Sequence, residues 1–451
     1  MKRFLLVLCT VFIAAAPLAA QSSGNGEAAG YGTRERVSET ALAPDAAVRE
    51  RVKADWNLAC GLDGVRDWSP RAMTAAPRGY EATYISHYGR HGSRYAYTEL
   101  TYTEVLDMFR DGAAADNLTD FGADFLGRLE SFWEHARYRV GDLTRKGWEQ
   151  HARIARTMVS CFPKAFGRGS RVDACSSPST RSIVSMASFV AAVSRAAPKA
   201  DVYAHQGITD VQATRPNTGK NPFRYQGPEL AFPYQETSAQ FFLRRFPEYP
   251  EVLGRFFKDT EAGLGGRKPF DAFFYLYMLV AGMNSLDDDV RMDMDGVFTP
   301  EEFATLWEID NYERFNEYFS YRTPCSSIID DMIAKADARL AAGERGADLR
   351  FGHDHVAMAL MMIMDIDNFN EYPANPDELI GVFQTFRSPM ATNIQLVFYT
   401  PCKCRKGDTL VKVLLNGEEV RLGSLQASNG PYYRWEDLKE YLKARVRLFV
   451  N

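Results

Sequence analysis

The chain has 451 residues, of which 46% are hydrophobic and 25% charged, with a formal net charge of −5. That length can bury a sizeable core in about two domains, and the composition is that of a soluble globular protein. The acidic balance excludes nucleic acid as the main partner, so an anionic small molecule would have to be held by a local basic pocket.

Lys2-Arg3, an apolar run from Phe4 to Ala16 and small residues to Ala20 predict a signal peptide over 1–20, cut after Ala20. The run is too short to span a membrane, and no later stretch reaches the ~20 apolar residues that would. The expected product is exported, periplasmic or extracellular, with no membrane span; oligomeric state is not legible. Cleavage removes two basic residues, taking the −5 to −7, and removes Cys9. Cys60, Cys161, Cys175, Cys325, Cys402 and Cys404 remain, an even set that permits disulfides in an oxidising compartment without fixing their pairing. Cys402-Lys403-Cys404 has no second Cys/His pair, so no zinc site is expected. Residues 21–45 are rich in Gly, Ala and Ser without periodicity and read as a flexible leader.

Tyr84 to Tyr95 is an apolar strand that breaks into Arg90-His91-Gly92-Ser93-Arg94. Strand-to-loop junctions are where open α/β sheets hold ligands. Arg90 and Arg94 offer planar forks for phosphate oxygens, and a neutral His91 between them could attack phosphorus. Gly92 is expected to let the backbone approach the ligand. This stretch resembles the R-H-G-x-R motif of the histidine phosphatase superfamily, in its acid phosphatase and phytase branch. Arg-His-Gly-Ser-Arg-Tyr is most similar to the multiple inositol polyphosphate phosphatases, although Ala96 stands where they often have Pro.

Tyr95 to Asp120 reads as a polar segment containing the sequon Asn117-Leu118-Thr119, usable only in a eukaryotic host. Thr144 is placed to cap a helix with Trp148, Ala152, Ala155, Met158 and Val159 as its core face, and its Leu-Thr-x-x-Gly start again resembles the superfamily. Arg171 to Ser176 reads as a second strand, followed by a helix with Ile183, Val184, Ala187, Val190 and Ala191 on one side. Arg181 in the first turn of that helix opposes the macrodipole, a cost that a bound anion would offset. In the resemblance, Ser-Ser-x-x-x-Arg-Ser implies that Arg181 is the third phosphate-binding arginine.

Residues 205–346 are dense in aromatics and amphipathic helices, clearest at Phe273 to Met283 and Leu306 to Phe319. They read as a helical insertion. Asp293-Met294-Asp295-Gly296 mimics a calcium loop, but Arg291 stands where its first Asp ligand belongs, so no metal is expected there. Lys220, Arg224, Arg267 and Lys268 are candidate cations for a polyphosphorylated substrate. Sheet character returns at Asp348 to Phe351, turning through Gly352-His353-Asp354-His355 into an apolar helix. A carboxylic acid at a strand end could protonate a departing alkoxide. His-Asp here resembles the second acid phosphatase motif, which implies that His353 stabilises the phosphoryl oxygens and Asp354 is the proton donor. The inositol polyphosphate phosphatases usually have His-Ala-Glu, so this chain has His355 where they carry the acid. Asn393 to Thr400 reads as a strand, Thr409 to Leu422 as a hairpin around Asn416-Gly417, and Trp435 to Val446 as a closing helix.

The resemblance implies an α/β fold, a phosphoglycerate mutase-like three-layer core over 46–204 and 347–451 with a helical cap inserted at 205–346. It implies an exported histidine acid phosphatase acting on small phosphate esters, phytate-like inositol polyphosphates first, or broadly on phosphomonoesters. The expected site is His91 and Asp354 as catalytic residues, Arg90, Arg94, Arg181 and His353 on the phosphate, and His355, Arg267 and Lys268 as possible substrate contacts, without metal or cofactor. A mutase is disfavoured by export, and a phosphate-ester binding protein without turnover by the intact His91 and Asp354.

Overall fold

The computed structural model describes residues 45–219, 221–222, 230, 232–402 and 406–450. The expected signal peptide and nearly all of the leader fall outside these residues, as do Lys220, Arg224 and Cys404. Among the described residues no helix is long and apolar enough to cross a membrane.

Among the described residues eight strands form one mixed sheet: β1 Tyr80–Arg90, β2 Arg171–Ser176, β3 Asp201–His205, β4 Gly346–Gly352, β5 Asn393–Pro401, β6 Leu410–Leu415, β7 Glu418–Glu419 and β8 Tyr432–Arg434. Their order is β3-β2-β4-β1-β5-β6-β7, with β8 paired to β6. The half from β3 to β1 is parallel, and β5 and β6 add to it antiparallel. Alternation along β1 divides its side chains between two cores: Tyr84 and Tyr88 join one hydrophobic cluster and Ile85 the other. The first cluster takes in helices Arg322–Ala342, Asp354–Met364 and Trp435–Val450, the second Arg145–Cys161 and Thr180–Ala196. The result is a three-layer α/β architecture, and β4, covered on both faces, is buried throughout. Its charged members are paired: Asp348 meets Arg339 at 2.8 Å and Arg350 meets Asp331 at 2.6 Å.

Register brings distant sequence together. Arg90 lies opposite Gly352 and Ser176 opposite Phe351, so the segments after β1, β2 and β4 leave the sheet side by side at its C-terminal edge. The hairpin after β6 turns through Asn416 and Gly417, both at positive φ (56° and 80°), the geometry a two-residue turn requires.

Several expectations are corrected. The stretch from Tyr95 to Asp120 contains a helix, Leu100–Ala114, and a second follows at Asp120–Ala136. Tyr102, Val105, Leu106 and Phe109 supply the helical period that the intervening polar residues obscure. Asn117 is buried, its amide donating to the Asp259 carbonyl and accepting from the Asp259 N–H, so the sequon is structural. Trp148 is 40% exposed, whereas Ala155 and Met158 of the expected face are buried and Ile154 joins them. The Thr180–Ala196 helix buries Ser182, Ser185, Met186, Ser188 and Phe189 rather than the Ile183/Val184/Ala187 side. Its small hydroxyls allow close docking and find backbone partners, Ser182 at Gly352 O and Ser188 at Trp148 O. The five described cysteines, Cys60, Cys161, Cys175, Cys325 and Cys402, form no disulfides.

Candidate active site

The loop after β1 is pinned from every side. His91 N–H donates to Gly352 O, Gly92 N–H to Ser185 Oγ and Ser93 N–H to Gln150 Oε1. Thr144 caps the Arg145–Cys161 helix by accepting from Gly147 N–H, and its own N–H and hydroxyl both donate to Ser93 O. A Cβ on Gly92 would sit 2.5 Å from Gly147 O, and one on Gly147 2.2 Å from Ser93 O. Gly92 is therefore required for docking the loop on the helix. The Leu-Thr-x-x-Gly start is the other half of that joint.

His91 is 1% exposed. Its Nδ1 lies 3.0 Å from Gly92 O, which holds the proton on Nδ1 and leaves the Nε2 lone pair free. Burial, then the charges of Arg181, Arg90 and Arg94 and the neighbouring His353, push its pKa well below the ordinary histidine value. A neutral imidazole among guanidinium groups is a nucleophile that needs no separate base.

Arg90 is fully buried, donating through one terminal nitrogen to Leu62 O and Ser388 O (2.5 and 2.7 Å) and through the other to Asp354 Oδ2 at 3.3 Å. Arg94 donates to Tyr95 O and lies over the Tyr97 ring, with Asp63 3.9 Å away. Arg181 points a terminal nitrogen at His353 Nδ1, 3.5 Å off, and burial with nearby Arg94 lowers its pKa to about 10. The Nε atoms of Arg90, Arg94, Arg181 and Arg215 are buried without hydrogen-bond partners among the described residues. Clustered cations with unused donors describe an anion site.

His353 Nε2 meets Ser177 Oγ at 2.9 Å, and its backbone N–H donates to Tyr88 OH. Arg181 can only donate, so Nδ1 is its acceptor and Nε2–H donates to Ser177 Oγ. Asp354 opens the Asp354–Met364 helix. Burial alone would raise its pKa, but Arg90 and His355 hold it well below the usual carboxylate range. His355 Nδ1 lies 3.3 Å from Asp354 Oδ1.

His91, Arg94, Arg181, His353, Asp354 and His355 line one cleft of about 820 Å³, and Arg90 is tied to it through Asp354. Arg267 and Lys268 do not line it: Arg267 pairs with Asp111 (3.4 Å) and Glu104 (3.6 Å), and exposed Lys268 precedes the Pro269–Met283 helix. The cleft instead contains Arg215, Asn217 and Arg314, which sequence reading missed, together with Asp63, Asp310 and Glu317. Arg314 is held by Asp310 and Glu317, both at 3.1 Å. The available signal was that i,i+4 and i,i+3 charge set on the otherwise buried aromatic face of the Pro300–Phe319 helix.

No protein-family model matches the sequence, and no curated protein matches it. In three dimensions the chain is similar to the Bifidobacterium longum multiple inositol polyphosphate phosphatase in complex with inositol hexasulfate. The TM-score is 0.70 at 17% identity, covering 85% of this chain and 97% of that one. The phytase from D. castellii aligns with a TM-score of 0.60 at 15% identity, over 91% of this chain and 90% of that one. The phytase from Citrobacter braakii gives 0.52 at 10% identity, over 81% and 98%. The chain thus has the fold of these histidine acid phosphatases.

Proposed function

We propose that this chain is an exported phosphomonoester hydrolase working through a phosphohistidine on His91, with inositol polyphosphates such as phytate as its substrates. The observation that carries the reading is the His91 imidazole, its Nε2 free and its Nδ1 tied to Gly92 O, set among arginines whose Nε donors are unused. In this reading Nε2 attacks phosphorus in line. Arg90, Arg94, Arg181 and His353 meet the three equatorial oxygens, and the Asp354–His355 end of the cleft supplies the proton to the departing oxygen. Water then cleaves the phosphorus–nitrogen bond. Such chemistry rests on positioning and charge, and each donor lost costs ~10²-fold or more. Within residues 205–346 the helices from Ser238 to Phe319 serve as the cap, whereas Arg322–Ala342 packs on the core helices, and helix Leu100–Ala114 packs against the Pro269–Met283 helix.

Arg215 and Arg314 extend the cationic surface beyond the scissile phosphate, and a protein of the same fold is named for inositol polyphosphates and was captured with inositol hexasulfate. The carboxylates of Asp63, Asp310 and Glu317 in the same cleft favour a second reading, broad phosphomonoesterase activity on substrates that also present hydroxyls. The test is phosphate release by the purified protein from phytate, lower inositol phosphates and glycerol 2-phosphate between about pH 4 and 8, a range that spans the ordinary histidine pKa. Rapid quench should trap acid-labile phosphate on His91 and none in His91→Ala. Phosphate on another residue removes the mechanism, and no release from phytate at any pH removes the inositol polyphosphate reading.

A further inference from the structure

Asp354 has neither oxygen free. Oδ2 accepts from Arg90 at 3.3 Å, while Oδ1 accepts the His355 backbone N–H at 2.9 Å and faces His355 Nδ1 at 3.3 Å. The His355 side chain is only 13% exposed, and its orientation is fixed by its neighbours. The ring stacks parallel to His353 (5.4 Å, 7°), with Tyr321 edge-on at 5.3 Å and Tyr318 at 6.1 Å. Tyr321 OH is itself held by Glu317. The remaining atom, Nε2, is buried in the cleft wall without a hydrogen-bond partner among the described residues. A ring held at one nitrogen by a carboxylate, with the other nitrogen buried and unpartnered in the wall of a reaction cleft, is the arrangement by which a carboxylate orients a histidine for proton transfer.

We propose that His355 is the general acid and base of this site, and that Asp354 is the carboxylate that positions it. The inference rests on the phosphohistidine reading above. In the first step the Nε2–H bond of the His355 imidazolium breaks and its proton joins the leaving alkoxide, as the scissile P–O electron pair departs with that oxygen and His91 Nε2 bonds to phosphorus. In the second, water attacks phosphorus, neutral His355 Nε2 takes its proton, and the P–N pair returns to His91. The imidazolium is regenerated against Asp354, so the cycle needs no further reactant.

The test compares His355→Phe, which keeps a packed ring, with the parent on glycerol 2-phosphate and on p-nitrophenyl phosphate, whose phenolate leaves without a proton. The alkyl ester should lose ~10²-fold or more in kcat, the range general acid–base catalysis supplies. The aryl ester should instead show a burst of one equivalent of p-nitrophenolate followed by slow turnover, because only dephosphorylation is impaired. In His355→Ala, added imidazole should restore alkyl ester hydrolysis. Alkyl turnover within about threefold of the parent overturns the assignment, as do equal losses on both esters with no burst and no imidazole rescue. A parent protein inert on both esters is a separate result that removes the phosphatase reading itself.

Discussion

Arg90 shows how much one side chain is asked to do. Its guanidinium ties two loops to β1 through Leu62 O and Ser388 O, and its remaining terminal nitrogen holds Asp354. Lysine keeps the charge but not the fork, so Arg90→Lys should lower kcat by ~10²-fold and also the melting temperature. Unchanged kcat at a lowered melting temperature would show that Arg90 is a tie and not a phosphate ligand. Arg215 differs, since it lines the cleft and Arg90 does not. Arg215→Ala should raise KM for phytate several-fold while leaving a small monophosphate nearly unaffected, because the lost contact is remote from the chemistry. The double variant Arg267→Ala/Lys268→Ala should leave both KM values unchanged, and a rise for phytate alone would return those residues to the site.

At the scale of elements, the site depends on a backbone-to-backbone joint between the loop after β1 and the first turn of the Arg145–Cys161 helix. Gly147→Ala would place a methyl group 2.2 Å from Ser93 O, and neither backbone can yield without moving His91's loop. Overpacking of this kind costs about 1–3 kcal/mol. The expected outcome is a lower urea midpoint together with a kcat loss larger than the stability loss explains. Gly127, inside the Asp120–Ala136 helix, provides the contrast: an added Cβ there meets nothing within 4 Å. Gly127→Ala should raise stability by ~0.5–1 kcal/mol with kcat unchanged. Urea unfolding and steady-state kinetics on the two variants check both statements.

For the whole molecule, the second core contains two buried histidines, His87 on β1 and His151 on the Arg145–Cys161 helix, set among Phe189 and Phe351. Burial, with His151 and Arg350 nearby, pushes His87 down to about 3, and burial does the same to His151. Between that value and the ordinary 6.5 the unfolded chain binds protons that the folded chain refuses. Stability is therefore whole above about pH 6.5, falls as pH drops toward 3, and stops falling through these groups below it. Each histidine contributes a slope of up to ~1.4 kcal/mol per pH unit. Urea midpoints at several pH values should trace that loss, and His151→Phe should make it shallower. An identical pH slope in the variant would exclude His151 as a contributor.

The chemistry-bearing loops and the strands that carry them are legible in local sequence. Arg90 to Arg94, Ser176 to Arg181 and Gly352 to His355 each follow a β-run, and strand alternation and turn residues are local properties of the chain. The three-layer fold was legible for the same reason, once those junctions were recognised as similar to one superfamily. Register is a property of the folded sheet: it ends Arg90, Ser176 and Gly352 within one residue of the same level, so that Arg90 and Asp354, 264 positions apart, meet. The tertiary structure also decided which charges face the cleft. Arg267 lies beside carboxylates of a helix hidden by its polar residues, whereas Arg215 turns inward with nothing in its local sequence to record that choice, and Arg314 is marked only by its helical charge partners Asp310 and Glu317. Burial of serines in the Thr180–Ala196 helix, and the need for glycine at both 92 and 147, follow from how closely two elements approach. Such distances are fixed by packing between segments, which periodicity within a segment cannot express.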